Sequence, residues 1–409
     1  MSSSSSTGDP TIQPITLRTR KEFALPALLL GGAIIVGAVT LLATALTYLG
    51  RMDGQTYAAW IGSIPRDVVA RVQWVLGDIT EPQFYKSWIG SIGLLLGAAF
   101  AWLAQRKRLR FVGSPIAYGS GLWPWMLAAA SLSLLLSNAV FGSALAVGWQ
   151  PTFVPFVCVA TAVVLVYGRG WKVALTGAIL GAFTTPLSML LIAGITSPLG
   201  LPSVIANTTA MSIGAAVVFL LARILPWMRI PTKSETEYEE VEPQSTIAQP
   251  AHTFISDTSW MVRRVLKDFT ETQFWATEWA TIGLLVGVSL HVALAAGIPS
   301  YGTELLPKIL VSQALTSAIG IIIWRRLYRG GGWAPTYISV VSVAPATVLA
   351  YNGSIVALIL GAIAGAILCP LVARPISARL PADFHPFIGN TIAMAVVTTI
   401  VVPVVGLIV

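Results

Sequence analysis

Two short acidic motifs hold the side chains best suited to chemistry in this sequence. Asp78 and Glu81 stand in DITEPQF, and Asp268 and Glu271 stand in DFTETQF, 190 residues further on. Each motif follows an amphipathic segment with basic residues and precedes an apolar stretch. We therefore interpret the acids as loop or cap groups beside helices that lie on a membrane surface. Paired carboxylates that couple to an ion are the alternative interpretation.

A second repeated phrase is polar and then apolar. NTTAM begins at Asn207 and NTIAM at Asn390, each at the start of a long apolar stretch. Because Asn and Thr favour helix N-caps, one interpretation is that they cap two helices. The other is that Asn207, Thr208, Asn390 and Thr391 bind a solute, since polar groups and free amide N–H groups at a helix start can bind an anionic or carbonyl group.

Prolines occupy matched positions inside two further apolar stretches. Pro186, which follows Thr185, and Pro370 each lie near the middle of such a stretch. Proline frees the carbonyl four residues earlier and kinks a helix. The kink either serves packing alone or produces a discontinuous helix at a binding site. The upstream segments GAILGA and GAIAGA hold small residues four apart, which predicts close contact between helices.

His291 lies deep in an apolar stretch. An ionisable group at that depth is a candidate for ion coupling, but its counterpart in the repeat is Ala101, and a neutral, hydrogen-bonded histidine fits as well. Cys158 and Cys369 also lie in apolar stretches, which predicts buried thiols. The sequence contains no metal-ligand spacing, nucleophile motif or phosphate-binding loop. We therefore expect no metal, no cofactor and no catalytic residues.

The composition indicates which solvent surrounds the chain. Of the 409 residues, 55% are hydrophobic and 10% are charged, and the mean hydropathy is +0.78. Soluble domains carry about 25% charged residues, so the expected surrounding is a lipid bilayer. The net charge of +8 marks cytoplasmic loops in a membrane protein and does not indicate nucleic-acid binding.

The apolar stretches predict an all-α polytopic membrane protein with about eleven transmembrane helices. Basic residues cluster in loops that fall on one side, as RTRK, RKRLR, GRGWK and RRLYR, and are missing from GWQ, ITSPLG and YNGS. By the positive-inside rule, the N-terminus is cytoplasmic and the C-terminus lies outside a plasma (inner) membrane. The predicted spans are approximately 25–49, 87–104, 123–147, 151–168, 173–195, 204–226, 279–298, 305–324, 334–351, 354–373 and 387–408.

The chain contains an internal duplication. Residues 149–186 and 333–370 align without a gap, and 16 of the 38 positions are identical. Each repeat holds five spans, and this odd number places the second repeat upside down in the membrane. The predicted division is a disordered cytoplasmic tail (1–24), an extra transmembrane helix (25–49), the first repeat (65–226), a flexible cytoplasmic linker (227–257) and the second repeat (258–409).

In span count and symmetry, the chain resembles the five-plus-five inverted-repeat secondary transporters, which include sodium/proton antiporters and bile-acid-type symporters. The resemblance covers roughly residues 65–409 and concerns architecture, without a family-specific motif. It implies a permease that moves a small solute by alternating access at a site between the repeats. The nearly charge-free central segments favour a neutral or amphiphilic solute, with H⁺ or Na⁺ as the coupling ion, and a homo-oligomer is compatible with the sequence.

Two other functions fit parts of this pattern. A channel-like facilitator on the same scaffold would need a continuous polar pore and no coupling site. A membrane-embedded enzyme acting on a lipid-linked substrate would need acids and bases at one membrane face, but the charge pattern places Asp78 and Glu81 opposite RKRLR. We therefore expect a transporter and not an enzyme.

Overall fold

The computed structural model describes residues 23–49, 55–109, 111–231, 253–294 and 297–409. Within these ranges all regular structure is helical and no residue lies in a strand, as predicted. Nearly all of the predicted tail and most of the predicted linker lie outside the described residues. The α-helices are α1 (Leu25–Leu49), α2 (Tyr57–Ser63), α3 (Val68–Asp78), α4 (Trp88–Arg106), α5 (Trp123–Phe141), α6 (Val159–Tyr167), α7 (Trp171–Ala182), α8 (Thr184–Leu191), α9 (Ser203–Ala222), α10 (Phe254–Asp268), α11 (Glu278–Leu294), α12 (Leu306–Ile323), α13 (Tyr337–Val340), α14 (Val343–Ala350), α15 (Ile355–Ser377) and α16 (Phe387–Gly406).

Eight helical segments of the described chain are long and apolar enough to cross a membrane. Crossing needs about 20 residues at 1.5 Å per residue. The remaining three predicted spans coincide with shorter apolar helical segments, Val154–Tyr167, Glu278–Leu294 and Tyr337–Ala350. The eight long segments are Leu25–Leu49, Trp88–Arg106, Trp123–Val147, Trp171–Thr196, Ser203–Ala222, Leu306–Ile323, Ile355–Ser377 and Phe387–Gly406.

Two of the three short segments are interrupted at matched positions. The first breaks at Cys158, with φ −138° and ψ −73°, and the second breaks at Ser342, with φ −143° and ψ −89°. The sequence placed the discontinuities at Pro186 and Pro370 instead. Helix α15 continues through Pro370, whereas the chain is interrupted at Phe183, three residues before Pro186. Only the proline of the first repeat lies next to an interruption of its helix. A membrane helix can continue through a proline when neighbouring helices or side chains satisfy the backbone groups that lose their partner.

The predicted small-residue contacts are present beside these breaks. A Cβ atom at Gly361 would overlap the side chain of Thr347, and one at Gly365 would overlap that of Ser339. A Cβ atom at Gly177 would press on the Ala160 carbonyl. Glycine at these positions lets α7 and α15 approach the interrupted helices closely.

Helices α4 and α11 pack through reciprocal glycine contacts. A Cβ atom at Gly93 would overlap the carbonyl oxygen of Gly283, and one at Gly283 would overlap that of Gly93. Gly97 meets the Trp279 carbonyl in the same way. Because the numbers rise on one helix as they fall on the other, the two helices run antiparallel. They are also the matched helices of the duplication, IGLLLG in one and IGLLVG in the other.

Unusual backbone conformations recur at equivalent positions. Phe84 and Phe274 both lie in the left-handed region, at φ 67° and 63°, as do Tyr118 and Tyr301, at 58° and 63°. Such conformations cost about 1 kcal/mol or more for a residue with a side chain, so they persist only where surrounding contacts impose them. The Ala117 amide donates to the Trp275 carbonyl at 3.1 Å, and the Ser300 amide to the Tyr85 carbonyl at 2.7 Å. A carbonyl group of each repeat thus accepts a hydrogen bond from the turn of the other repeat.

Candidate functional site

A cavity lies where the two interrupted helices meet α9 and α16. Its empty space amounts to about 600 Å³, part of it open. Val157 and Cys158 at the first break and Val341 at the second all line it. Helix breaks leave backbone groups without helical partners, and in membrane proteins such breaks are tolerated where they face protein or a cavity. Its other linings include Glu81, Phe84, Trp149, Phe153, Ser203, Asn207, Thr208, Met211, Thr272, Phe274, Tyr301, Tyr337, Phe387, Thr391 and Met394.

The two Asn-Thr phrases converge on this cavity. Asn207 and Thr208 lie on its wall from α9, and Thr391 lies on its wall from α16. Asn390 stands behind the wall and donates to the hydroxyl of Tyr337 at 3.0 Å, and that tyrosine lines the cavity. The Ser212 hydroxyl donates to Thr391 Oγ1 at 2.8 Å and joins the two helices.

The capping interpretation of these phrases is wrong. Asn207 is the fifth residue of α9 and Asn390 the fourth of α16, so both lie inside their helices. Prolines, Pro202 and Pro386, occupy the positions just before the helices, and no side chain caps either one. The Thr208 hydroxyl donates to the Val204 carbonyl at 2.8 Å, which leaves its lone pairs available toward the cavity.

The proline positions lie away from the cavity. Thr185 is buried and shares a 2.7 Å hydrogen bond with Ser137, while Pro186 and Pro370 are absent from the cavity wall. One link remains, because Ser188 of the same helix α8 donates to Asn207 Oδ1 at 2.6 Å. Thr185, Pro186 and Pro370 therefore support the packing around the site and do not line it.

The first acidic motif forms a buried charge cluster. Asp78 forms an ion pair with Lys86 and accepts from Asn138 at 3.1 Å and Thr152 at 2.8 Å. Glu81 Oε1 accepts from Trp149 Nε1 at 3.0 Å and from the Tyr301 hydroxyl at 2.9 Å. Both acids are almost fully buried. Asp78 is the last residue of α3 and Glu81 lies in the 3₁₀ turn that follows. Both acids thus occupy a helix end and its connection, but they are buried inside the protein and not exposed at its surface.

The second motif forms an equivalent cluster. Asp268 accepts from Arg264 at 2.9 Å and from Thr336 at 3.1 Å, and Glu271 accepts from Arg264 at 2.7 Å and from Trp333 Nε1 at 2.6 Å. Thr336 and Trp333 are the repeat counterparts of Thr152 and Trp149. Asp268 ends α10 and Glu271 lies in the 3₁₀ turn after it, and both are buried as well.

The cation of each cluster comes from a different place in the repeat. Lys86 corresponds to Ala276, and Arg264 corresponds to Trp74. In the first cluster, Lys86 Nζ lies 3.3 Å from the centroid of the Trp74 ring. Trp74 occupies the position of the arginine in the repeat, and it stabilises the lysine through a cation–π contact. Sequence reasoning missed Lys86, Trp74 and Trp149, although the repetition of Trp149 and Thr152 at 333 and 336 was a visible signal.

His291 lies apart from the cavity. It is fully buried, its Nδ1 lies 2.8 Å from Ser87 Oγ, and its ring packs edge-on against Trp88 at 5.6 Å. Its Nε2 has no hydrogen-bond partner. These contacts fit a neutral histidine in helix packing; its suggested part in coupling stays a prediction.

The cavity is open at one end and closed at the other. A wider mouth of about 1040 Å³, including its entrance, adjoins it at Phe84, Trp149 and Tyr301. Tyr57, Leu201 and Ala350 line the mouth alone. At the far end Phe274 packs edge-on against Phe387, with ring centroids 5.8 Å apart.

An exposed ion pair lies beyond these closing rings. Arg223 donates to Asp383 at 2.7 and 2.9 Å. These hydrogen bonds hold the pKa of Asp383 below its usual range. The solvent exposure of both side chains screens their attraction, so the pair can only bias the closed end and cannot lock it.

Neither a metal-binding cluster nor a comparison with known proteins identifies the function of this site. Among the described residues, no group of three His, Cys, Asp or Glu side chains could hold a metal ion, and Cys158 and Cys369 are free and buried. No protein-family model matches the chain, and no curated protein or solved structure matches it either. Its function has to be inferred from its own residues.

Proposed function

We propose that this chain is a secondary transporter that carries a small solute through the cavity between its two repeats by alternating access. One observation carries the proposal: the equivalent helix breaks at Cys158 and Ser342 meet at one cavity that has an open and a closed end. Discontinuous helices at matched positions of two repeats are the usual place of a transporter's binding site.

The proposal takes the two repeats as inverted copies of one five-helix unit, as in the five-plus-five transporters. Antiparallel packing of the equivalent helices α4 and α11 supports this, because a two-fold axis between them lies across the helices and hence in the membrane plane. Exchange of the two repeats' conformations would then move the opening from one membrane face to the other.

The loop charges orient this arrangement. With a cytoplasmic N-terminus and an external C-terminus in the plasma membrane, the mouth at Leu201 and Ala350 faces outside. The Arg223–Asp383 pair and the closing rings of Phe274 and Phe387 then lie toward the cytoplasm. In this proposal, the described conformation is that of an outward-open carrier. A channel would need both ends open at once.

The lining suits a small amphiphilic solute. Aromatic and aliphatic side chains dominate the cavity, and a few polar groups, among them Asn207, Thr208 and Thr391, can orient a ligand. The lipid bilayer, the solute and a coupling ion, H⁺ or Na⁺, are the partners in this proposal.

Cysteine accessibility tests the proposal. Cys158→Ala and Cys369→Ala provide a background, into which Thr391→Cys is introduced on the cavity wall. Leu201→Cys at the mouth and Arg379→Cys beyond the closed end serve as one-sided controls. An impermeant maleimide should label Thr391→Cys from both faces of oriented vesicles, but each control from one face only. Labelling of Thr391→Cys from the outside alone would contradict alternating access.

A further inference from the structure

We propose that the transported solute is a small monovalent organic cation whose charged group binds the free carboxylate oxygen of Glu81. This inference rests on the proposed function, and it names the chemical class of the solute. It follows from one oxygen atom, from the balance of buried charge around that atom, and from the rings on the cavity wall.

Glu81 lies on the cavity wall and has one carboxylate oxygen without a hydrogen-bond partner. The residue is 3% exposed. Its Oε1 is occupied by Trp149 and Tyr301, but its Oε2 is buried without a hydrogen-bond partner. A buried carboxylate oxygen left without a donor is unfavourable, because it has lost its hydrogen bonds to water. A ligand N–H or ammonium group would satisfy it.

The charges around Glu81 do not balance. Lys86 lies 3.6 Å from Glu81 Oε2 but forms its close ion pair with Asp78. No other basic side chain of the described residues forms an ion pair with either acid. Two carboxylates therefore share one ammonium group, which leaves one negative charge inside the protein. Buried charge without a counter-charge is strongly unfavourable, so the cluster is completed either by a proton or by a monovalent cation that replaces it.

The equivalent acid in the other repeat is not available. Both oxygens of Glu271 are occupied, one by Trp333 and one by Arg264. Lys267 adds a second positive charge that interacts with Glu271 and Asp268. Glu271 is also absent from the cavity wall. The cation site therefore belongs to the first repeat alone, although both repeats carry the acidic motif.

Aromatic rings complete the binding chemistry. An organic cation gains from ring faces within about 6 Å and from apolar surface for its body. An anionic solute would be repelled by Glu81, and a neutral solute could neither replace a proton on Glu81 nor form an ion pair with its carboxylate. Seven aromatic side chains line the cavity: Phe84, Trp149, Phe153, Phe274, Tyr301, Tyr337 and Phe387.

The same oxygen can accept a proton when the cation leaves. The groups that face Glu81 are Asp78 and Lys86 of its own repeat and the hydroxyls of Tyr57 and Tyr301, which are neutral. One proton bound and one cation released conserve the cluster's charge, so protons and cations compete for one site.

Calorimetric binding to the purified full chain in detergent tests the inference without any transport measurement. The probes share one aromatic body and differ in charge: 2-phenylethylammonium, 2-phenylethanol and phenylacetate. We expect the ammonium probe to bind at least tenfold more tightly than the other two and to weaken as the pH is lowered. Absence of ammonium binding, or equal affinity for the alcohol, would overturn the inference even if Thr391→Cys were labelled from both faces.

Two variants localise the charge preference. Glu81→Gln should remove the tenfold advantage of the ammonium probe and its pH dependence. The matched control Glu271→Gln, which changes the equivalent acid away from the cavity, should retain both. If Glu81→Gln does not fold, the comparison of the three probes on the unmodified chain still decides. Retention of the charge preference in folded Glu81→Gln would refute the assignment.

Discussion

Gln83 and Gln273, 190 residues apart, hold each other through two amide hydrogen bonds. Gln83 Nε2 donates to Gln273 Oε1 at 3.0 Å, and Gln273 Nε2 donates to Gln83 Oε1 at 3.1 Å. Each amide also donates to a carbonyl of the opposite repeat, Phe269 for Gln83 and Ile79 for Gln273. Every partner has its repeat equivalent on the other side. This self-complementary pattern is typical of contacts across a two-fold axis.

The glutamine pair predicts two equal and non-additive losses of stability. Gln83→Leu leaves the buried Gln273 amide without its partner, and Gln273→Leu does the same to Gln83, so each should cost about 1–3 kcal/mol. The double variant leaves no orphaned side-chain amide and should cost less than the two single changes together. Unfolding of the detergent-solubilised protein measures all three. Strongly unequal single losses, or simple additivity, would contradict the reciprocal contact.

The glycine contacts predict a second symmetric pair of losses. Gly93→Ala and Gly283→Ala each force a methyl group into the other helix's backbone, which cannot move as a side-chain tip can. We expect each to cost about 1–3 kcal/mol from overpacking. Gly37→Ala is the matched control, since nothing lies within 4 Å of its added Cβ atom. It should be neutral or slightly stabilising in the same unfolding assay.

The sequence alone predicted where the long apolar helices lie and some of the residues that line the cavity. Hydropathy located the helices, because a bilayer-crossing helix must be apolar over its whole length. The repeated phrase led to Asn207 and Thr391, which do meet at the cavity. The sequence did not predict the helix breaks at Cys158 and Ser342, because neither position holds a proline or glycine. At both breaks the interrupted helix packs closely against the glycines of α7 or α15.

The acidic clusters show a different limit. The amphipathic segment before the motif predicts that Asp78 and Glu81 lie near a surface. In the fold they are buried instead, against Lys86, which follows the motif closely, and against Trp149 and Tyr301 from distant segments. Aligning the repeats also hides the cation, because Lys86 faces Ala276 and Trp74 faces Arg264. Lys86 and Arg264 each form an ion pair with the acids of their own cluster, although the two residues do not align in the repeat. A residue-by-residue comparison of the repeats therefore does not reveal that both clusters contain a cation.

This exchange of cations predicts a rescue. Lys86→Ala leaves two buried carboxylates without a counter-charge and should cost about 3–5 kcal/mol. Adding Trp74→Arg gives the first cluster the arrangement of the second, an arginine on the preceding helix and an alanine after the motif. The double variant should recover a large part of the lost stability in unfolding assays. A double variant no more stable than Lys86→Ala would show that the two clusters are not equivalent.

The Arg223–Asp383 pair predicts a pH-dependent closed end. Arg223 lowers the pKa of Asp383, so the pair is intact above the ordinary carboxyl pKa and is lost as the pH falls through the lowered value. Acidification and Arg223→Ala should both increase maleimide labelling of Thr272→Cys from the cytoplasmic face relative to labelling of the exposed Arg379→Cys at the same pH. The ratio is needed because maleimide reacts with the thiolate, whose fraction falls in acid. The increase should be modest, because the pair is exposed. Arg379→Ala is the control, and the charge exchange Arg223→Asp with Asp383→Arg should restore closure.

Phe84 and Phe274 predict opposite effects from equivalent changes. Both are phenylalanines in the left-handed conformation, so Phe→Ala removes the same ring and leaves the same backbone strain. Phe274 closes the far end here, while Phe84 stands where the cavity joins the mouth. In the outward-closed conformation of an inverted repeat, Phe84 would take the closing role. Phe274→Ala should therefore raise labelling of Thr391→Cys from the cytoplasmic face, and Phe84→Ala should lower it. A shift in the same direction for both would mean that the rings act as ordinary packing and that the two ends of the cavity do not exchange roles.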